Sequence, residues 1–348
     1  MIIIRAMGLQ SMRKTQLSKY PTTFSFINEL IEVFKSSNDK RLAHQNSKEI
    51  LRQMTSEPEI IKELLTYNIN QEGFLAKKHY PVVELPIYRN SDFHIVANCW
   101  LPLPSKDTSI STKSLHHHGS MLLTSATAFG PGYEHWLFEK PVLVDEQNEV
   151  FSMKLIERSP HPRYHLCFVD SYSVHVPMYI SELTITYALW SNSYSTSLLD
   201  KIKANKFISK NKKYLKSIAN LFGLKKTLAI KSENYLDFYP VIGGFKGIKE
   251  RSEVEFSRGP KSDYLHSLFH IIQKTGNANV ILKMNKDHLF SNNPDLTSQD
   301  KYLINEFIND LKEKKTILSR LTEELHYGFP RANFTNESIL KAIDTQSL

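Results

Sequence analysis

A chain of 348 residues with 41% hydrophobic and 23% charged residues has enough apolar material for a substantial core, which excludes an intrinsically disordered polypeptide. Two cysteines, Cys99 and Cys167, exclude a disulfide scaffold and a multi-cysteine zinc site. The net charge of +8 is concentrated between Lys201 and Lys226, where nine lysines stand without an acid, and no base-reading or stacking motif accompanies them, so no specific nucleic acid is expected.

In chain order, residues 1 to about 80 read as helical. Phe24, Ile27, Leu30, Ile31 and Phe34 recur at helical spacing, as do Ile50, Leu51, Met54, Ile60, Ile61, Leu64 and Leu65, with a break near Pro58. The opening Met1-Ile2-Ile3-Ile4-Arg5 is too short and too soon interrupted for a secretory signal, and no apolar run is long enough to span a bilayer, so a cytoplasmic protein is expected.

The texture changes near Tyr80, where Pro81, Pro86, Pro102 and Pro104 punctuate short segments rich in valine, isoleucine and aromatics. Strands are predicted over 93–101, 115–127, 141–144, 150–157, 163–169, 172–176 and 183–190. So many short strands in succession predict a small sandwich or barrel. Beyond Leu198 helical patterning returns. An amphipathic lysine-rich segment at 201–226 could face an anionic partner, and Gly243, Gly244 and Gly247 mark a turn region without the residues of a phosphate-binding loop. A short helix is predicted over Tyr264–Ile272, and a longer one from a Thr297/Ser298 cap through Leu325 to Gly328 and Pro330. Asn333-Phe334-Thr335 matches a glycosylation acceptor only by coincidence in a protein that is not secreted. Three units are expected: helices at 1–80 packing on the barrel, a barrel at 81–198, and a largely helical extension at 199–348.

The residue types that carry chemistry cluster in the β-rich part. On a strand, His116 and His118 of the His116-His117-His118 run point to one face and His117 to the other. A third imidazole from a neighbouring strand would complete a nitrogen site for iron, copper or zinc, and His175 lies in such a segment. Arg89 precedes the run and supplies a cation suited to a substrate carboxylate. Between the histidines, the aromatic stretch Ala128–Trp136, with Gly130 and Gly132, reads as a lid or pocket wall, or as a turn whose aromatics pack on the barrel. It brings Tyr133 or His135 near the substrate, and Glu134 or His135 could replace one of the three ligands. Cys99, Cys167, His94, His161 and His165 read as packing or ordinary polar contacts.

In order and spacing, Tyr88-Arg89-Asn90, Asn98-Cys99-Trp100, His116-His117-His118, and His175 with Ser181 resemble the cupins, and within them the three-histidine thiol dioxygenases. The resemblance covers about residues 80 to 195. It implies an α+β protein: a cupin-type double-stranded β-helix barrel, flanked here by N-terminal and C-terminal helices. It also implies Fe(II) held by His116, His118 and His175, with copper, zinc or manganese as alternatives, and O2 as co-substrate. Arg89 would pair with a substrate carboxylate. Tyr187 would act beside the metal, with Trp190 and Tyr194 competing for that place, and Tyr88, Trp100, Tyr133, His135 and Trp190 are candidates for the substrate pocket. Met121, Leu122 and Leu123 occupy the place where most cupins carry a glutamate ligand, as in the three-histidine subgroup, and the cysteine that animal-type enzymes crosslink to a tyrosine is missing.

The expected function is that of a mononuclear non-haem iron oxygenase acting on a small carboxylate-bearing substrate of the thiol or amino-acid-derived kind. The alternatives are a non-catalytic cupin that binds metal or ligand and docks a partner through its basic extension, and a cupin doing redox-neutral isomerisation or hydrolysis.

Overall fold

The computed structural model describes residues 12, 14–77, 82–102, 115–139, 142–145, 147, 150–152, 154–177, 180–193, 235–239, 244–248 and 261–320. The lysine-rich segment 201–226, Tyr194, Gly243, and everything from Leu321 to the end, including Gly328, Pro330 and Asn333, lie outside the described residues.

The N-terminal part forms α1 (Lys14–Leu17), α2 (Pro21–Ser36), α3 (Lys40–Asn46), α4 (Lys48–Ser56) and α5 (Pro58–Ile69). Pro21 and Pro58 stand in the first turns of α2 and α5, where a missing N–H leaves no bond unmade. The break at Pro58 is therefore a helix start. The apolar stripes predicted for this region are the buried residues Ile27, Leu30, Ile31 and Phe34 of α2 and Ile60, Ile61, Leu64 and Leu65 of α5.

Eleven strands follow among the described residues: β1 (Val82–Arg89), β2 (His94–Trp100), β3 (Leu115–His116), β4 (Met121–Phe129), β5 (Tyr133–Phe138), β6 (Val142–Asp145), β7 (Val150–Ser152), β8 (Leu155–His161), β9 (Leu166–Val169), β10 (His175–Pro177) and β11 (Thr184–Asn192). Two more, β12 (Tyr235–Tyr239) and β13 (Gly244–Ile248), precede the helices α6 (Lys261–Lys274), α7 (Ala278–Leu282), α8 (Lys286–Ser291) and α9 (Ser298–Lys312). One antiparallel sheet runs β1-β2-β11-β4-β9 and the other β6-β7-β13-β12-β3-β10-β5-β8. From β2 to β5 and again from β8 to β12 the chain crosses between the sheets at every step, and helices flank the assembly. This is the α+β, cupin-type double-stranded β-helix with flanking helices that the sequence predicts.

The first sheet is buried on both faces, which is why β4 is buried without interruption from Leu122 to Ala128. One face, with Ile95, Ala97 and Cys99 of β2 and Ile185, Tyr187 and Leu189 of β11, packs into a core shared with α2, α4, α5, α6 and α9. The opposite face places Val96, Leu123, Cys167, Val169 and Ala188 in the barrel interior, with Leu137 and Trp190 against them. No described helix is long and apolar enough to cross a membrane.

Several expected elements differ. The strand predicted over 115–127 is two strands, β3 and β4, in different sheets, joined through a turn at Gly119 with φ +60°. Gly119-Ser120 is the turn signal in the sequence that a single strand over 115–127 passes over. The predicted 150–157 strand is likewise split, into β7 and β8. The aromatic stretch read as a lid or turn supplies β5, central enough to pair with both β10 and β8. The Gly-rich turn region contains β13, and β12 and β13 stand between β3 and β7, so the expected boundary at 198 cuts through one sheet. Glycines hide a strand from pattern reading because they contribute no side-chain alternation. Finally, α9 stops at Lys312 rather than running on past Leu325, and Leu318, expected on its buried face, is 70% exposed.

Candidate metal centre

The segment carrying the histidine run leaves the sheet at His116. Backbone pairing sets His116 directly opposite His175 of β10, while His117 and His118 belong to the turn that follows. The alternation argument for His118 therefore does not apply. What aims its ring is the turn: Met121 N–H bonds to the His118 carbonyl at 3.2 Å, and Tyr172 N–H to the Gly119 carbonyl at 2.7 Å. His117 is buried beside the Tyr172 ring, its Nδ1 accepting from Gly119 N–H at 3.0 Å, and so anchors the turn. The loop before β10 is tied down in turn by Arg41 of α3, whose guanidinium meets Asp170 at 2.8 Å and Ser171 at 3.0 Å.

Two of the three expected ligands meet. Nε2 of His118 lies 2.7 Å from Nε2 of His175. Nitrogens bound side by side to one ion at about 2.1 Å stand roughly 3.0–3.4 Å apart, so this pair approximates one edge of a coordination shell. The other nitrogen of His175, Nδ1, is 2.8 Å from Nε2 of His135, and Nδ1 of His135 is 3.3 Å from Sγ of Cys167. If both Nε2 lone pairs of the first pair face a cation, the proton of His175 sits on Nδ1 and is donated to His135. The proton of His135 then points at Cys167. Burial, reinforced by Glu157, pushes the Cys167 thiol up to about 12, so it remains a neutral partner. No group of three or more His, Cys, Asp or Glu side chains able to hold a metal occurs among the described residues. The imidazole of His116 is outside that description, although its backbone is placed next to His175. The described donors thus supply two of the three expected ligands.

Around the pair, the Trp190 ring packs edge-on against His118 at 4.5 Å between centroids and parallel to His94 at 6.1 Å. Arg89 pairs in register with His94, and His94 with Trp190, which lines the three up across β1, β2 and β11. A β-bulge between Pro86 and Tyr88 makes this possible. It shifts the alternation so that Tyr88 enters the helix-side core and Arg89 takes the face of His94. Burial, with the Arg89 charge behind it, pushes His94 down to about 4, so it stays neutral.

Deeper in the barrel lies a group that sequence reasoning assigned to packing. The Thr127 hydroxyl donates to the His161 carbonyl at 3.0 Å, so it accepts from His161 Nδ1–H at 2.8 Å, and Ser125 donates to His161 Nε2 at 3.2 Å. Burial first, then the neighbouring His135 and His165, push His161 down to about 3. Tyr133 stacks on His161 at 5.0 Å and approaches Trp100 at 5.9 Å, and Trp100 donates to Thr186 at 2.9 Å. His135, Cys167 and His161 therefore belong with the candidate ligands in space. No spacing rule links residues on β5, β8 and β9, so only the barrel's closure reveals it.

Of the ten residues expected at the site, His118, His175, His135 and Trp190 touch one another, and Tyr133 and Trp100 line the interior beside them. Arg89 is exposed at the rim. Two expectations are corrected. Tyr88 and Tyr187 both face the helices, because each alternates with residues that point into the barrel, and Tyr187 cannot act beside the histidines.

Fold and site together define a cupin-type barrel with a row of imidazoles across its interior. No family model matches the chain, and no curated protein matches it. Among solved structures, KdgF from a Halomonas species is 8% identical, with 33% of this chain and 82% of that chain covered at a TM-score of 0.23. The Cnp3 cupin domain of Schizosaccharomyces pombe is 7% identical over 36% of this chain and 74% of its own, TM-score 0.23. An RmlC-like cupin from Shewanella frigidimarina is 9% identical over 34% and 88%, TM-score 0.20. Overlap at this level fixes neither ligand nor reaction.

Proposed function

We propose that this chain is a mononuclear iron cupin that oxidises, with O2, a small substrate carrying a carboxylate, of the thiol or amino-acid-derived kind. The observation that carries the reading is the pair of Nε2 atoms of His118 and His175 facing each other, with His175 held from behind by His135. His116, whose backbone is paired with His175, is the proposed third ligand. A ferrous ion held by three neutral imidazoles supplies open positions for substrate and O2 together and the electrons that activate oxygen. The protein's own residues do the rest. Arg89 meets the substrate carboxylate, to which its exposed guanidinium can donate two parallel hydrogen bonds. His135 and Cys167 hold the His175 proton on Nδ1 so that the Nε2 lone pair faces the ion. Trp190, Leu123 and Val169 exclude water from the interior side.

Chain loaded with ferrous iron under anaerobic conditions should bind about one ion, and His118→Ala and His175→Ala should each abolish this. Iron retained by both variants would overturn the reading. Oxygen uptake with a panel of small thiols and amino acids should appear in the iron-loaded protein and fall at least about tenfold in Arg89→Ala through KM.

A second reading starts from the same pair of imidazoles, His118 and His175. It makes the protein a metal- or ligand-binding cupin without turnover that docks an anionic partner through residues 201–226. Metal binding without oxygen uptake across the panel, together with partner binding lost on charge reversal at Lys210, Lys212 and Lys213, would favour it. Activity with zinc or manganese in the absence of oxygen would instead favour isomerisation or hydrolysis.

A further inference from the structure

α3 is only seven residues long, yet its side chains reach four segments at the end of the barrel where His118 and His175 meet. Lys40 Nζ meets Asp92 at 2.7 Å in the turn that leads to His94. His44 bonds to Thr124 of β4 and Ser191 of β11, the chain neighbours of Leu123 and Trp190 on the interior face. Arg41 takes the loop between β9 and β10. Its Nε donates to both Asp170 carboxylate oxygens, at 3.0 and 3.1 Å, and its Nη2 donates to the Ser171 hydroxyl at 3.0 Å. Lys40 and His44 act on strands that already pair with one another, whereas Arg41 grips a loop.

That loop carries a strained residue. Tyr172 has φ +61°, where a side chain crowds its own carbonyl and which residues other than glycine rarely adopt. The torsion φ sets the angle between a residue's N–H and the chain that follows it. At Tyr172 this angle lets the N–H donate to the Gly119 carbonyl at 2.7 Å while the chain turns on towards His175, three residues later. Gly119 is the residue after His118. One backbone bond therefore ties together the two segments that carry the paired histidines, and the Tyr172 ring beside His117, 5.8 Å between centroids, adds a second tie. Strain of this kind persists only where surrounding contacts fix it. Here those contacts converge on Asp170, whose carboxylate accepts from Ser171 N–H at 2.6 Å as well as from Arg41, and whose carbonyl accepts from Ser173 N–H at 3.1 Å.

We propose that Arg41 is a positioning residue for the His118–His175 pair. It acts from outside the barrel, holding Asp170 and Ser171 so that Tyr172 keeps its left-handed turn and its bond to Gly119. That bond in turn fixes the 2.7 Å spacing of the two Nε2 atoms. The use of this arrangement rests on the reading of the pair as metal ligands: a spacing set before the ion arrives is a preformed site. The N-terminal helices then belong to the metal centre and are more than packing.

Amide hydrogen exchange on the metal-free full chain, followed by mass spectrometry, reads the tie between the two segments. In Arg41→Met, peptides covering 117–123 and 170–176 should both exchange at least about threefold faster, while peptides in α5 keep wild-type rates. Cobalt(II), whose visible bands report coordination geometry, reads the pair itself. Well below the melting transition, Arg41→Met should bind cobalt about threefold to tenfold more weakly and with altered bands. Arg41→Lys should fall between this variant and the wild type, since lysine restores the charge but not the fork that reaches Asp170 and Ser171 together. A brace that served stability alone would lower the melting temperature and leave the affinity and bands of the folded protein unchanged. That result, or loosening confined to 170–176, would overturn the proposal. Loosening of both segments in Arg41→Met, when the wild type takes up no cobalt, would support the brace and overturn the metal reading, which keeps the two failures apart.

Discussion

The buried imidazole of His44 illustrates how single residues here couple packing to proton binding. Its Nδ1 lies 2.7 Å from the Thr124 hydroxyl and its Nε2 2.9 Å from the Ser191 hydroxyl, which bolts α3 to β4 and β11. Burial, helped by Lys40, pushes it down to about 3. His161 is likewise held at about 3 and His94 at about 4. Unfolding releases all three to ordinary histidine behaviour near pH 6.5. The unfolded chain therefore binds more protons below that pH, so stability is complete above about pH 6.5 and lost as the pH falls. Each such histidine contributes a slope of at most about 1.4 kcal/mol per pH unit. In urea titrations at several pH values, His44→Gln should flatten this slope by about one histidine's share. It should also cost about 1–3 kcal/mol near neutrality, because one amide cannot bond both hydroxyls in the same geometry. An unchanged slope would show that His44 is already charged in the folded protein. The ligand candidates were legible as residues, but their partners were not: His135 and Cys167 acquire meaning only from the contact between β5, β9 and β10.

Two turns decide how the strands and helices deliver those residues. Gly132 joins β4 to β5 at φ +86°, and a Cβ there would sit 1.9 Å from the His161 carbonyl oxygen, a backbone atom that cannot step aside. Gly132→Ala should destabilise the protein by several kcal/mol, on the order of 3, and displace His135 and His161 together. Circular dichroism melting combined with metal titration would register both effects. Lys314 ends α9 in the left-handed conformation at φ +56°, with Lys315 N–H bonded to the Asp310 carbonyl at 2.8 Å and Lys314 N–H to Leu311 at 3.4 Å. This is the reciprocal C-terminal cap that glycine usually occupies. The apolar spacing continues past it, which is why periodicity overshoots the end of the helix. Lys314→Gly should raise stability by about 1 kcal/mol, measured as a shift in the urea midpoint. A loss of stability would mean that Lys314 makes a compensating contact.

The helices from both ends of the chain form one layer against the first sheet, so the barrel is not a free-standing unit. The buried Asn293 side chain accepts from Leu75 N–H at 2.8 Å and donates to the Leu289 carbonyl at 2.8 Å, while Gly73 N–H bonds to the Asn292 carbonyl at 2.9 Å. Tyr264, Leu268 and Phe269 of α6 share a core with Leu64 of α5 and Leu189 of β11. Helices and barrel should therefore unfold in a single transition seen alike by far-ultraviolet dichroism and by tryptophan fluorescence, whose three reporters, Trp100, Trp136 and Trp190, all lie in the strands. Asn293→Ala should lower both signals' midpoints together, by about 1–3 kcal/mol of stability. A separate earlier transition in the dichroism signal alone would show that the helical layer melts on its own.

Local composition and period were sufficient for the change from helix to strand near Tyr80, the apolar faces of α2 and α5, the capped start of α9 and the residue types of a nitrogen-rich site, because each is written within a few turns of chain. The tertiary structure decided the rest. It decided which sheet each strand joins, that β12 and β13 extend the second sheet from β3 to β7, that a bulge sends Tyr88 and Arg89 to opposite faces, and that Tyr187 looks away from the histidines. The physical reason is that direction and partnership in a barrel follow from closure, corners and bulges. In a sheet buried on both faces, the alternation of polar and apolar residues that would announce them is erased.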